Sequence, residues 1–76
     1  MIEKRYTEAE LGALAKKFRI AAGKNRAEAA RELGVSRPSI FEAEESPEAS
    51  LSRLRIRIIE KYSGMKVVGP EYRLEK

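Results

Sequence analysis

A chain of 76 residues with 16 Lys and Arg against 12 acidic residues, no cysteine and no histidine, is near the lower size limit for folding around one core. The missing residue types exclude disulfides, thiol nucleophiles, zinc fingers and a catalytic histidine. No apolar run approaches the roughly 18 residues of a membrane span, and the charged opening MIEKRYTEAE lacks the apolar stretch of a signal peptide; a cytoplasmic protein is expected.

The net charge of +4 is unevenly placed. Residues 1–38 hold nine basic against five acidic side chains, and residues 39–76 hold seven of each. The excess gathers around Lys16, Lys17, Arg19, Lys24, Arg26, Arg31 and Arg37. Such a one-sided distribution suits a polyanion, most simply nucleic acid, or is a merely solvated surface.

Thr7 followed by Glu10 predicts a capping box, in which hydroxyl and carboxylate satisfy orphan amides at the start of a first helix. Leu11, Leu14, Ala15, Phe18 and Ala22 then recur at helical spacing, and Gly23 is placed for a left-handed cap. Asn25 and Glu28 repeat the cap-and-box pattern and open a second helix over Arg26–Leu33. Its buried side is read as Ala27, Ala29 and Ala30, small enough for a close neighbour. Gly34 supplies the left-handed backbone of a sharp corner, with Val35 as a core anchor.

Ser36 caps a third helix, whose first turn tolerates Pro38 because amides there lack intrahelical partners. Ile40 and Ala43 face inward. After the polar link ESPEAS, a fourth helix begins at Ser50 or Ser52, with Leu51, Leu54, Ile58, Ile59 and Tyr62 inside, and Gly64 ends it. The stretches MIEKRY and KVVGPEYRL are rich in β-branched and aromatic residues, with Val68, Pro70, Tyr72 and Leu74 on one side. They read as short β-strands at the two termini, pairing with each other or with a second copy, or else as an unstructured tail. The expected fold is mainly α: four helices in a single domain over 1–76, with a core at 7–64 and a tail at 65–76.

Ala30, Gly34 and Ile40, supported by Leu33, Val35 and Ala43, stand in an arrangement that resembles the helix-turn-helix DNA-binding motif, here at about 26–45. The wider stretch KKFRIAAGKNRAEAARELGVSRPSIFEAEE resembles the Cro/C1-type (XRE) helix-turn-helix family. Arg19, Gly23 and Glu44 stand where that family has an arginine late in its first helix, a glycine before the second and a glutamate after the recognition helix. The resemblance covers roughly residues 8 to 62. It implies a lambda-repressor-like domain whose third helix enters the major groove while the second spans the backbone.

On that reading the base-reading candidates are Arg37, Ser39, Glu42 and Phe41. Arg37 is suited to a bidentate contact with guanine, its alternatives being a phosphate contact or an ion pair. Ser39 would reach a base or a phosphate. Glu42 would accept from cytosine or orient an arginine, and Phe41 would touch a thymine methyl or complete the core. The DNA-backbone candidates are Arg19, Lys24, Asn25, Arg26 and Ser36, helped by helix N-terminal amides. Arg26 stands where the family most often has glutamine, which weakens base reading there. Glu44 is read as structural, paired with Arg19. The acidic EESPEAS stretch departs from the family pattern and is expected to turn away from DNA or to meet a partner.

The implied function is sequence-specific DNA binding by a Cro-like repressor, as a homodimer built through the fourth helix or the tail. The alternative is an antitoxin or other partner-binding module that covers a toxin and regulates its own synthesis. No nucleophile–base pair, metal-ligand cluster or phosphate-binding glycine loop stands out, so neither catalysis nor a cofactor is expected.

Overall fold

The computed structural model describes residues 5–69 and 72–76, which form four helices and a small antiparallel sheet: α1 (Glu8–Ala21), α2 (Arg26–Leu33), α3 (Arg37–Glu45), α4 (Ser52–Ser63), β1 (Lys66–Val68) and β2 (Arg73–Glu75). The expected strand character of residues 1–4 and the placement of Pro70 lie outside the described residues.

The local signals act as their chemistry dictates. Both capping boxes form: Glu10 N–H donates to Thr7 Oγ1 while Thr7 N–H donates to the Glu10 carboxylate, and Asn25 and Glu28 do the same for α2. Ser36 Oγ accepts from Ser39 N–H at the head of α3. Gly34, at φ +70°, lets the chain leave α2 and reach the Ser36 cap in three residues.

The core joins all four helices. Leu11, Ala15, Ala29, Ile40, Ala43, Ile58 and Ile59 are fully buried, with α1 packed on α4 and α3, and α2 on α3. Two expected core positions fall elsewhere. Ala27 is exposed, because it lies two positions from Ala29 and thus across the helix; Leu33 completes the buried stripe instead. Ala22 is also exposed, being the C-cap of α1 rather than part of its stripe. Phe18 packs at the core's margin.

The fourth helix corrects the expected cap. Its N-cap is Leu51, with no side-chain capping bond. Ser52 is already helical, and its hydroxyl donates to a Glu8 carboxylate oxygen of α1. Arg55, on the same helix, is entirely buried, a position that hydrophobic patterning does not reveal.

The tail folds back on the helices. In the hairpin Val67 faces Leu74 and Val68 faces Arg73, so Val67, not Val68, joins Tyr72 and Leu74 against the core. The antiparallel register, pairing Val67 with Leu74, overrides the simple alternation that reads Val68 and Leu74 as one side. Tyr6 N–H donates to Tyr72 O at 2.8 Å, tying the stretch ahead of α1 to the end of the chain. On β1, Val67 N–H is occupied by the Glu60 carboxylate at 2.9 Å, leaving that strand one donor fewer for a neighbour. Among the described residues no helix is long and apolar enough to cross a membrane.

Candidate nucleic-acid interface

The α2–Gly34–α3 unit is fixed from three sides. Ile40 and Ala43 enter the core. At the far end of α3, Arg55 Nε donates to Ala43 O at 2.8 Å and its second guanidinium nitrogen to Ser46 O at 2.6 Å. An arginine fork thereby serves two carbonyls that the helix end leaves without partners. From α1, Arg19 grips Glu44 through two bonds, Nε–Oε2 at 2.6 Å and Nη2–Oε1 at 3.0 Å, and donates its remaining nitrogen to Lys24 O. The side chains of Arg19 and Glu44 are only 7% and 0% exposed. The Glu44 hydrogen bond raises the Arg19 guanidinium above its ordinary value.

This geometry corrects one backbone candidate. Arg19 is buried and committed, so it has no nitrogen left to offer a phosphate; its role is the pairing with Glu44 that the residue types suggest. Arg26 is also drawn inward. Its Nε meets Glu44 Oε1 at 3.0 Å, one Nη meets Glu45 Oε2 at 2.7 Å, and the guanidinium lies 4.9 Å over the Phe41 ring. Lys24 is held by Glu32 at 2.9 Å, and Lys16 by Glu45 at 2.7 Å.

The basic excess of the first half is thus answered by acids from across the fold. Lys16, Arg19, Lys24 and Arg26 have carboxylate partners, whereas Lys17, Arg31 and Arg37 make no ion pair among the described residues. These pairs shift titration as expected. The hydrogen bond from Lys16 holds the Glu45 carboxyl below its ordinary range, and those from Lys24 and Tyr62 do so for Glu32. Burial, then the Glu32 hydrogen bond, pushes the Tyr62 phenol well up.

The outward side of α3 carries the base-reading candidates. Arg37 and Glu42 are exposed and make no side-chain bond among the described residues, so the expected arginine partner for Glu42 is not there. Phe41 is 50% exposed and therefore does not complete the core. Ser39 sits within 2.7 Å of the Ser36 hydroxyl, so these two candidates share one hydrogen bond. Together Arg26, Arg37, Pro38, Ser39, Phe41 and Glu42 line an open concavity of about 510 Å³. Asn25 spends its side-chain oxygen on the α2 cap and remains exposed. Gly12 and Arg55 escape sequence reasoning, though a glycine inside an otherwise apolar helical stripe is a signal of close backbone approach.

No family model matches the chain, and neither a curated protein nor a solved structure does.

Proposed function

We propose that the chain is a sequence-specific DNA-binding regulator, a lambda-repressor-like helix-turn-helix domain of the Cro/C1 type that docks α3 in the major groove. The observation that carries this reading is Arg37: a guanidinium with no ion-pair partner among the described residues, on the first turn of a helix whose opposite side is anchored by Ile40, Ala43 and Glu44. Its fork matches the two major-groove acceptors of guanine. Phe41 beside it offers apolar contact to a thymine methyl, and Glu42 an acceptor for a cytosine amino group. One such helix reads few base pairs, so the chain acts as a homodimer on an inverted repeat, in the cytoplasm, by occupying an operator rather than by catalysis.

Selection of bound sequences from random duplex DNA tests this. The expected product is an inverted repeat, with Arg37→Ala losing about 1–3 kcal/mol on it and relaxing one base position. Salt-sensitive retention without enrichment would sink the sequence-specific reading.

A second reading draws on the internal ion pairs. With Lys16, Arg19, Lys24 and Arg26 all matched to carboxylates, the pull of this cluster on a polyanion is weaker than its number of cations implies. A protein partner, as for an antitoxin, would then use the exposed Phe41 or the hairpin. Co-purification of one defined protein together with a failed DNA selection would favour it.

A further inference from the structure

We infer that Lys16 and Arg26 form a binding site for a backbone phosphate of duplex DNA, filled in this structure by the chain's own Glu45 carboxylate; the inference rests on the DNA-binding reading above. Two cations from different helices converge on one oxygen. Lys16 Nζ of α1 and an Arg26 Nη of α2 each lie 2.7 Å from Glu45 Oε2. A non-bridging phosphate oxygen presents the same charged acceptor to such a pair.

The site persists when Glu45 leaves. Arg26 is aimed by other groups: its Nε is bound to Glu44 Oε1, Glu44 is itself buried under Arg19, and the guanidinium is stacked on Phe41. Glu45 has no comparable hold. It is the last residue of α3, and its described side-chain bonds go only to Lys16 and Arg26. The Lys16, Glu45 and Arg26 side chains are 41%, 34% and 26% exposed, so solvent reaches these ion pairs, which are then weak and readily exchanged.

Position and charge agree with this. Phe41 and Glu45 are one helical turn apart, so the cleft adjoins the outward side of α3. Around it Arg19, Arg26 and Lys16 face Glu44 and Glu45; displacing Glu45 leaves two positive charges facing outward. The phosphate contact expected of Arg26 is therefore present in latent form, with Lys16 as its partner and Glu45 as the competitor.

The test is the salt dependence of duplex binding, followed by fluorescence anisotropy, for the wild type, Glu45→Gln, Glu48→Gln and the double variant Lys16→Gln/Glu45→Gln. Glu48 is exposed and makes no ion pair among the described residues, so its variant carries the same charge change without opening the cleft. The expected result is that Glu45→Gln binds about 3- to 10-fold tighter than wild type while Glu48→Gln changes less than about twofold. Adding Lys16→Gln should abolish the gain and lower the salt slope by about one. Equal gains from the two single variants, or none from Glu45→Gln on DNA that the wild type binds, would overturn the cleft and leave the DNA-binding reading standing. Absence of duplex binding by wild type and Glu45→Gln alike would overturn both.

Discussion

Gly12 meets the last turn of α3 so closely that a β-carbon there would lie 2.6 Å from the Ala43 carbonyl oxygen and 3.2 Å from that of Glu44. The same Ala43 oxygen accepts from Arg55 on the other side, at 2.8 Å. The end of α3 is therefore seated between the backbone of α1 and a guanidinium of α4, and its angle depends on both.

Gly12→Ala tests the first support. Alanine gains about 1 kcal/mol of helix propensity, but the obstructing atoms are backbone and cannot swing aside, so overpacking of about 1–3 kcal/mol wins. A lower melting temperature is expected. An unchanged or higher one would mean that α1 and α3 part without strain.

Arg55→Met tests the second. Removing both donors leaves two carbonyls at the α3 terminus without partners, at about 1–3 kcal/mol. One nitrogen of Arg55 is itself buried without a partner among the described residues, which offsets part of that loss. Arg55→Lys should be intermediate, since a single ammonium cannot span Ala43 O and Ser46 O as the fork does. Should urea denaturation find methionine as stable as arginine, the carbonyls are served in another way.

The Arg19–Glu44 pair calls for a double-mutant cycle. Arg19→Met leaves a fully buried carboxylate whose remaining ion-pair partner among the described residues is Arg26, and a loss of about 3–5 kcal/mol is expected. Combining it with Glu44→Leu should recover much of that loss, because an apolar pair carries no buried charge. Additive losses in the cycle would show that the two side chains act independently.

Acid sensitivity follows from Glu32 and Glu45. Both carboxyls are held below their ordinary value of 4.5 in the folded chain. Below that value the unfolded chain takes up protons that the folded chain still refuses, so folding is progressively disfavoured. The stabilisation from these pairs is complete above about pH 4.5 and is lost as pH falls through the lower folded values. Denaturation midpoints between roughly pH 6 and 3 should fall less steeply for Glu32→Gln and Glu45→Gln than for wild type. Parallel acid limbs in variant and parent would contradict this.

Most of the helical frame was legible because its signals are local. Thr7–Glu10, Asn25–Glu28, Ser36 and Gly34 each act within a few residues, and each marks an end of a helix. The long-range features were not. Nothing adjacent to Arg55 in sequence announces that it will be buried against Ala43 and Ser46, and an arginine on an amphipathic helix ordinarily reads as surface. Likewise Glu45 reads as part of an acidic link until the fold brings it to Lys16 and Arg26. Arg37, by contrast, stands exposed, as its place at the start of α3 suggested.

The bridge between Tyr6 and Tyr72 joins segments from nearly opposite ends of the sequence. It is a single backbone bridge between short terminal segments rather than part of the packed helices, so it is expected to open locally before they do under native conditions. In hydrogen exchange the Tyr6 amide should then be released by a local opening well before the amide of Ile58 in the middle of α4. Equal protection at both sites would make the hairpin part of the cooperative helical unit.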